Sequence, residues 1–295
     1  MNTSLVQKST SPVSWIKKNF FSGSSLRATI TSLILAPIAL IWIYPFLWVV
    51  SASLKTNMEI FKGLALIPEA PQWQNYIRAW EQARIGQYFM NTVIITVTSV
   101  AIVVVVTSMI GYVLGRYSFP GKNIVVGLLV ATVFIPQGYT IIPVFEVVNR
   151  LGLADTLWGV ILAESGGANV LAILLFSGYF SQLPRELEEA AVIDGAGFVR
   201  VFVQVMMPLA KPIVATTIIM HFISTWNSFL LPLVLTLSRP SLRTLAVGMY
   251  AFRGEFFIDW SGMAAAATIS LMPIILVFLV MQRYFVEGIA GAVKQ

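Results

Sequence analysis

Apolar residues in this chain come in long unbroken runs, neither alternating as in half-buried strands nor striped as on surface helices. Six stretches contain at most one charged residue each: Thr29–Ala52, Gln87–Tyr112, Asn123–Phe145, Leu157–Phe180, Ala210–Val234 and Gly262–Met281. About 20 predominantly apolar residues suffice to cross the hydrocarbon core as a helix. A chain crossing lipid must also satisfy its own backbone hydrogen bonds, which selects helices for such runs. The first run extends from Ala28 to Leu54, behind Lys17, Lys18 and Arg27. It far exceeds the roughly 7–15 residues of a secretory signal's apolar segment, so it reads as a retained span. The pattern therefore predicts an all-α integral membrane protein with six transmembrane helices. It divides into an N-terminal tail, residues 1–28, and a transmembrane domain, residues 29–295.

Composition agrees: 57% of residues are hydrophobic and only 11% charged, with a mean hydropathy of +0.82. Soluble domains average about 25% charged residues, enough to cover a surface that this chain cannot cover. The formal net charge is +6, but the basic residues are scattered between the apolar runs. They lack the clustering of a nucleic-acid patch. Six spans put both termini on one side. Lys8, Lys17, Lys18, Arg27, Arg116, Lys122, Arg185, Arg200, Lys211, Arg283 and Lys294 then share that side, which the positive-inside rule assigns to the cytoplasm. Two segments face outward, Ser53 to Ile85 and Thr236 to Ser261. Their aromatic residues (Trp73, Tyr76, Trp80, Tyr250, Phe252, Phe256, Phe257, Trp260) suit an interfacial belt or short helices on the membrane surface. The chain has no cysteine and one histidine, His221, which excludes thiolate chemistry and a multi-histidine metal site.

The connection between the fourth and fifth runs, about residues 181–209, is the most charged part of the chain. Pro184 suits a first helical turn, and Glu186, Glu188 and Glu189 favour the positive end of a helix dipole. Gly195 can adopt the left-handed conformation that ends a helix. Phe198 to Met206 can resume helically before Pro208 starts the next span. The expected form is helix, sharp turn, helix.

Within it stand Glu189-Ala190-Ala191, then Gly195 after three intervening residues, then Val205-Met206-Met207-Pro208 after nine more. This spacing resembles the EAA loop of permeases of ATP-binding-cassette (ABC) importers, with Met207 where that family usually has leucine. The resemblance implies a type I importer permease fold, with this loop as the coupling helix that docks on an ATPase subunit. It assigns that docking to Glu188, Glu189, Ala190, Ala191, Asp194, Gly195 and Pro208. More of the chain, from about Leu33 onward, is similar to the carbohydrate branch that includes the maltose-transporter permeases. The matching pieces are Asn75-Tyr76, Gly111-Tyr112 with Arg116, Trp226-Asn227-Ser228-Phe229-Leu230 with Pro232, Thr244 to Met249, and Gln282 to Lys294.

The same resemblance implies partners: a second, homologous permease subunit, a dimer of ATPase subunits, an extracytoplasmic solute-binding protein and a carbohydrate substrate. In that branch the C-terminal tail, here Gly288 to Gln295, can reach the ATPase as well. No Gly-x-x-x-x-Gly-Lys-Ser/Thr phosphate loop occurs in this chain. ATP-Mg is therefore expected on the ATPase partners, with no cofactor and no metal on this chain, and no catalytic residue within it. The expected location is the bacterial inner membrane.

Glu164 is the one acid well inside a predicted span, beside Ser165, Gly166, Gly167 and Asn169. A carboxylate at that depth is costly and marks a functional site by default. Glu164, Asn169, Trp226 and Asn227 together offer the hydrogen-bonding groups and aromatic face of a sugar pathway; pairing of Glu164 with Arg150 is the competing reading. His221 reads as a packing residue bonded to a neighbouring helix. Gly111-x-x-x-Gly115 matches the small-residue contact motif of membrane helices. Pro37, Pro45, Pro136, Pro143 and Pro273 read as kinks. Cargo other than sugar, or an ion-coupled carrier, are the alternatives. The latter calls for buried ionisable relays and related halves, of which only Glu164 is present.

Overall fold

The structure is a computed structural model describing residues 26–81, 83–166, 169–254 and 258–293. Phe256, Phe257, Gly167, Lys294 and the tail before Leu26 lie outside the described residues. The chain divides into two compact units, Met1–Trp48 and Val49–Gln295.

Among the described residues, three single helices are long enough and apolar enough to span a bilayer: α1 (Leu26–Ala52), α4 (Ile85–Arg116) and α15 (Trp260–Val293). α1 retains Pro37 and Pro45, and α15 retains Pro273, inside continuous helix. Between α1 and α4 lie two short helices, α2 (Asn57–Ile60) and α3 (Gln74–Glu81).

The remaining apolar runs are bent. α5 (Lys122–Val133) and α6 (Ile141–Arg150) meet at 99° across Pro136 and a 3-10 turn, Gln137–Thr140. A single straight span over Asn123–Phe145 is thus not formed. Pro136 has no N–H to continue the α5 ladder and sits in extended conformation, whereas Pro143 is accommodated in the first turn of α6. α7 (Leu157–Gly166) and α8 (Val170–Gln182) meet at 52°, with Gly166 and Asn169 on either side of the break.

After α8 come α9 (Glu186–Ile193), α10 (Phe198–Val201), a π-turn (Phe202–Met206) and α11 (Met207–Leu209). α12 (Lys211–Trp226) leaves this segment at 79°. The fifth span therefore starts at Lys211-Pro212 and not at Pro208. It also stops early, at Trp226 instead of Val234. The Asn227 side-chain amide donates to Ile223 O at 2.8 Å and competes with the ladder. Pro232 then falls in a separate short helix, α13 (Leu230–Leu235). α14 (Leu245–Gly248) lies in the segment between α13 and α15. If each bent pair counts as one span, length and composition allow up to six.

In the second unit α4 is the central helix. One cluster joins α3, α4, α12, α14 and α15 through Ala79, Ile85, Tyr88, Phe222, Trp226, Leu245 and Ala265. A second joins α4, α6, α7 and α13 through Ile95, Val148, Val160, Ile161 and Leu235. A third, at the other end of α4, holds Tyr112, Phe176, Phe180, Val201 and Met206. Gly111 and Gly115 explain how α8 approaches there. A Cβ on Gly111 would lie 2.4 Å from Phe176 Cβ, and one on Gly115 would lie 2.6 Å from Ser177 O. The small-residue motif is a helix contact, as its spacing predicts.

Several buried polar side chains are answered within the packing. Ser99 donates to Ile161 O at 3.2 Å and meets Ser165 Oγ at 2.8 Å, tying α4 to α7. Asn91 donates to Ser241 O and Arg243 O, holding the segment before α14. Asp259 caps α15 through Gly262 N at 3.0 Å and pairs with Arg78 of α3 at 3.0 Å, joining the segment between α1 and α4 to the one before α15. Large apolar side chains stay exposed along the long helices, among them Ile41, Trp42, Val97, Leu276 and Val280. That is the surface lipid solvates.

Candidate functional site

The loop after α8 folds as its residues dictate. Three glutamates occupy the first turn of α9, where the helix dipole favours them. The helix ends in a Schellman turn. Ala196 N–H donates to Ala191 O at 2.9 Å and Gly195 N–H to Val192 O at 2.9 Å, with Gly195 left-handed at φ +80°. Ala191 and Ala196 both pack on the third cluster, which fixes the turn against α4 and α8.

This geometry splits the expected docking residues into two sets. Glu189, Ala190, Asp194 and Gly195 are exposed, and the neighbouring Ile193 is 85% exposed. Glu188 and Ala191 face inward instead. The Glu188 carboxylate pairs with Arg116 Nε at 3.0 Å, and the Arg116 side chain is only 3% exposed. Pro208 is exposed in α11. Its missing N–H and its ring disfavour the regular ladder one turn earlier, where Met207 N–H donates to Phe202 O in π fashion.

Arg116 was visible in the sequence as a basic residue after the second run and as part of the Gly111-Tyr112 match. It also donates to the carbonyls of Phe180 (3.2 Å), Leu183 (2.6 Å) and Pro184 (3.3 Å). One turn back, the Tyr112 ring contacts those of Phe180, Phe198 and Phe202 at 5.2–5.6 Å. Its role could have been anticipated from its being the one charge at the end of a long apolar helix, but not its partners.

The four intramembrane candidates do not form one site. Trp226 is 2% exposed and stacks on Phe222 with ring centroids 5.2 Å apart. Its indole N–H donates to Ser270 O and Oγ at 3.2 Å. It is a core residue and presents no face to a ligand. Glu164 is not paired with Arg150, which instead reaches Glu146 at 3.5 Å. Its carboxylate lies near the Ser228 side chain, while Glu164 Oε1 is buried without a partner. Glu164 thus sits at the end of α7 facing the break between α12 and α13. Asn227 lies in that break, exposed. Asn169 donates to Ser165 O at 2.9 Å at the start of α8. His221 contacts Thr225 Oγ1 of its own helix at 3.3 Å, so its partner is intrahelical and not on a neighbour.

From the same break Phe229 reaches a cavity of about 510 Å³, lined also by Met249, Tyr250, Arg253 and Trp260. Phe229 and Tyr250 stack there at 5.2 Å. Sequence reasoning missed Ser228 as a neighbour of Glu164 and Tyr250 as a neighbour of Phe229, because each pair is far apart along the chain and meets only through the packing of separate elements.

Residues 84–291 match the family described as "Binding-protein-dependent transport system inner membrane component". The diacetylchitobiose uptake system permease protein NgcG of Streptomyces coelicolor is 36% identical over 269 residues, 91% of this chain and 88% of NgcG. The probable ABC transporter permease protein YurM of Bacillus subtilis is 35% identical, over 85% of this chain and 83% of YurM. The melibiose/raffinose/stachyose import permease protein MelC of Bacillus subtilis is 33% identical over 90% of this chain and 96% of MelC. A solved bacterial ABC transporter involved in import of the acidic polysaccharide alginate shares the fold. Its TM-score is 0.75 at 24% identity, covering 89% of this chain and 99% of that one. The chain belongs to the binding-protein-dependent transport system inner membrane components, the non-catalytic membrane-spanning permeases of ABC importers.

Proposed function

We propose that this chain forms half of a translocation pathway for a sugar or oligosaccharide, beside a second homologous permease, with both termini in the cytoplasm. A dimer of ATPase subunits supplies the energy, and an extracytoplasmic binding protein delivers the cargo. The observation that carries the coupling part is the exposed face of α9. Glu189, Ala190 and Asp194 stand next to a bare Ile193 on a helix whose other side is packed on the spans. Small side chains there allow close approach of a partner, the acids offer pairs to its basic groups, and Gly195 sets the direction of the chain beyond.

Carbohydrate is the cargo named for NgcG, MelC and the alginate importer, and the second site has groups suited to it. Glu164 and Asn227 provide acceptors and donors for hydroxyl groups. The stacked Phe229 and Tyr250 provide the aromatic face that Trp226 does not. Specificity for one sugar is then shared with the partner permease and the binding protein.

The test is reconstitution of the chain with an ATPase, a second permease and a binding protein from the same organism, measuring ATP hydrolysis against a panel of glycans and non-sugar solutes. Stimulation by a glycan together with the binding protein is expected. Stimulation only by a peptide, amino acid or phosphate would replace the cargo assignment, and failure of any ATPase to co-purify would remove the coupling reading.

A further inference from the structure

We propose that Arg116 is the positioning residue through which movement of α9 reaches the packed pair α4 and α8. The inference rests on α9 being the element that meets the ATPase. Arg116 is the last residue of α4, and its guanidinium holds three pieces of chain at once. Two donors reach Phe180 O and Leu183 O, at the C-terminal end of α8. A third reaches Pro184 O in the turn. Nε pairs with Glu188 in the first turn of α9.

Each contact suits the local chemistry. The last carbonyls of a helix lack intrahelical donors, and a cation is favoured at that end of the dipole. A carboxylate is favoured in the first turn of the next helix. The planar fork of arginine can serve all of these directions together, which the point charge of lysine cannot. Tyr112, one turn back, meets Phe180, Phe198 and Phe202, so the second half of the loop seats on the same face of α4. Gly111 and Gly115 bring α8 into backbone contact with α4, making the two helices one stiff unit.

α9 is thus pinned on one side through Glu188 and open on the other through Glu189, Ala190 and Ile193. A displacement applied to the open side is carried into α4 and α8 through the guanidinium, or it dissipates in a hinged turn. Arg116 touches neither cargo nor nucleotide; it acts by keeping α9 and the spans in fixed relation.

The measurement is the ratio of ATP hydrolysis with binding protein and glycan to basal hydrolysis, taken on assembled, purified complexes in lipid. Loss of folding lowers the amount of complex; loss of coupling lowers the ratio. Arg116→Lys and Glu188→Gln are expected to retain the ATPase. R116K is expected to lose about tenfold in the ratio, within the usual range of coupling energies. E188Q keeps an acceptor for Nε–H and is expected to fall between R116K and the unaltered chain. A full ratio and full uptake in R116K would overturn the inference. If R116K does not assemble, a full ratio in E188Q overturns it. Absence of an ATPase from the unaltered complex would instead defeat the coupling reading on which it rests.

Discussion

Gly195 carries the clearest single-residue requirement in the chain, and its cause can be isolated. A Cβ built there meets nothing within 4 Å, so the site has room for any side chain. The constraint is φ +80° alone. For a β-branched residue the left-handed conformation costs on the order of 1–3 kcal/mol, whereas asparagine enters it readily. Gly195→Val is therefore expected to abolish uptake while the protein still accumulates in the membrane, and Gly195→Asn to retain most of it. Equal uptake by both variants would show that backbone conformation is not what the position supplies. Glu164 poses a different question, because its unpartnered Oε1 is left for something to bind. Removing one hydrogen-bonding group from a buried polar site costs about 1–3 kcal/mol. Glu164→Ala is accordingly expected to lower glycan-stimulated ATP hydrolysis about tenfold with basal hydrolysis unchanged. Unaltered stimulation would take Glu164 out of the pathway.

Among the elements, the contact between α4 and α8 makes the sharpest forecast. Valine at Gly111 would drive its Cβ to 2.4 Å from Phe176 Cβ and 3.0 Å from Ile173 O, and backbone cannot yield as a side chain can. Overpacking of this kind costs about 1–3 kcal/mol, so Gly111→Val should lower the thermal midpoint in detergent by several degrees. Gly127→Ala on α5, where nothing lies within 4 Å, should leave it unchanged or slightly raised. A fall in both would show that the close approach at Gly111 is not what sets the loss. This contact was legible in the sequence, since the Gly111–Gly115 spacing encodes it locally. So were the course of α1, α4 and α15 and the turn at Gly195, each written in a continuous run or a fixed motif. The bends were not. Whether a proline kinks a helix, as Pro37, Pro45 and Pro273 permit, or ends it, as Pro136 does, depends on what packs around the freed carbonyls. The inward turn of Glu188 and the burial of Trp226 were hidden for the same reason: each is set by a residue far along the chain, Arg116 and Ser270 respectively. A motif names which residue types cluster, while the face that each presents is decided by tertiary contacts.

For the molecule as a whole, the proposed orientation decides everything downstream. Only with the loop inside can α9 meet an ATPase, and only with the two aromatic-rich segments outside can a delivered sugar reach Phe229 and Tyr250. Charge supports this arrangement through the basic residues around the loop, namely Arg116, Lys122, Arg185, Arg200 and Lys211. The outer segments are tied to one another by Arg78–Asp259 and to α4 by Asn91, so they face the same side of the membrane. Because the chain contains no cysteine, single thiols can report the two faces without background. Ile67 in the first outer segment is 84% exposed, and Ile193 at the end of α9 is 85% exposed. In intact spheroplasts a membrane-impermeant maleimide is expected to label Ile67→Cys and to spare Ile193→Cys until the membrane is opened. Assembly adds a second reading to the same pair: with the ATPase bound, Ile193→Cys should become protected even in opened membranes, while Ile67→Cys should not. Labelling of Ile193→Cys from outside would reverse the topology. Persistent labelling of it in the opened, ATPase-bound complex would leave the topology standing and move the docking face away from α9.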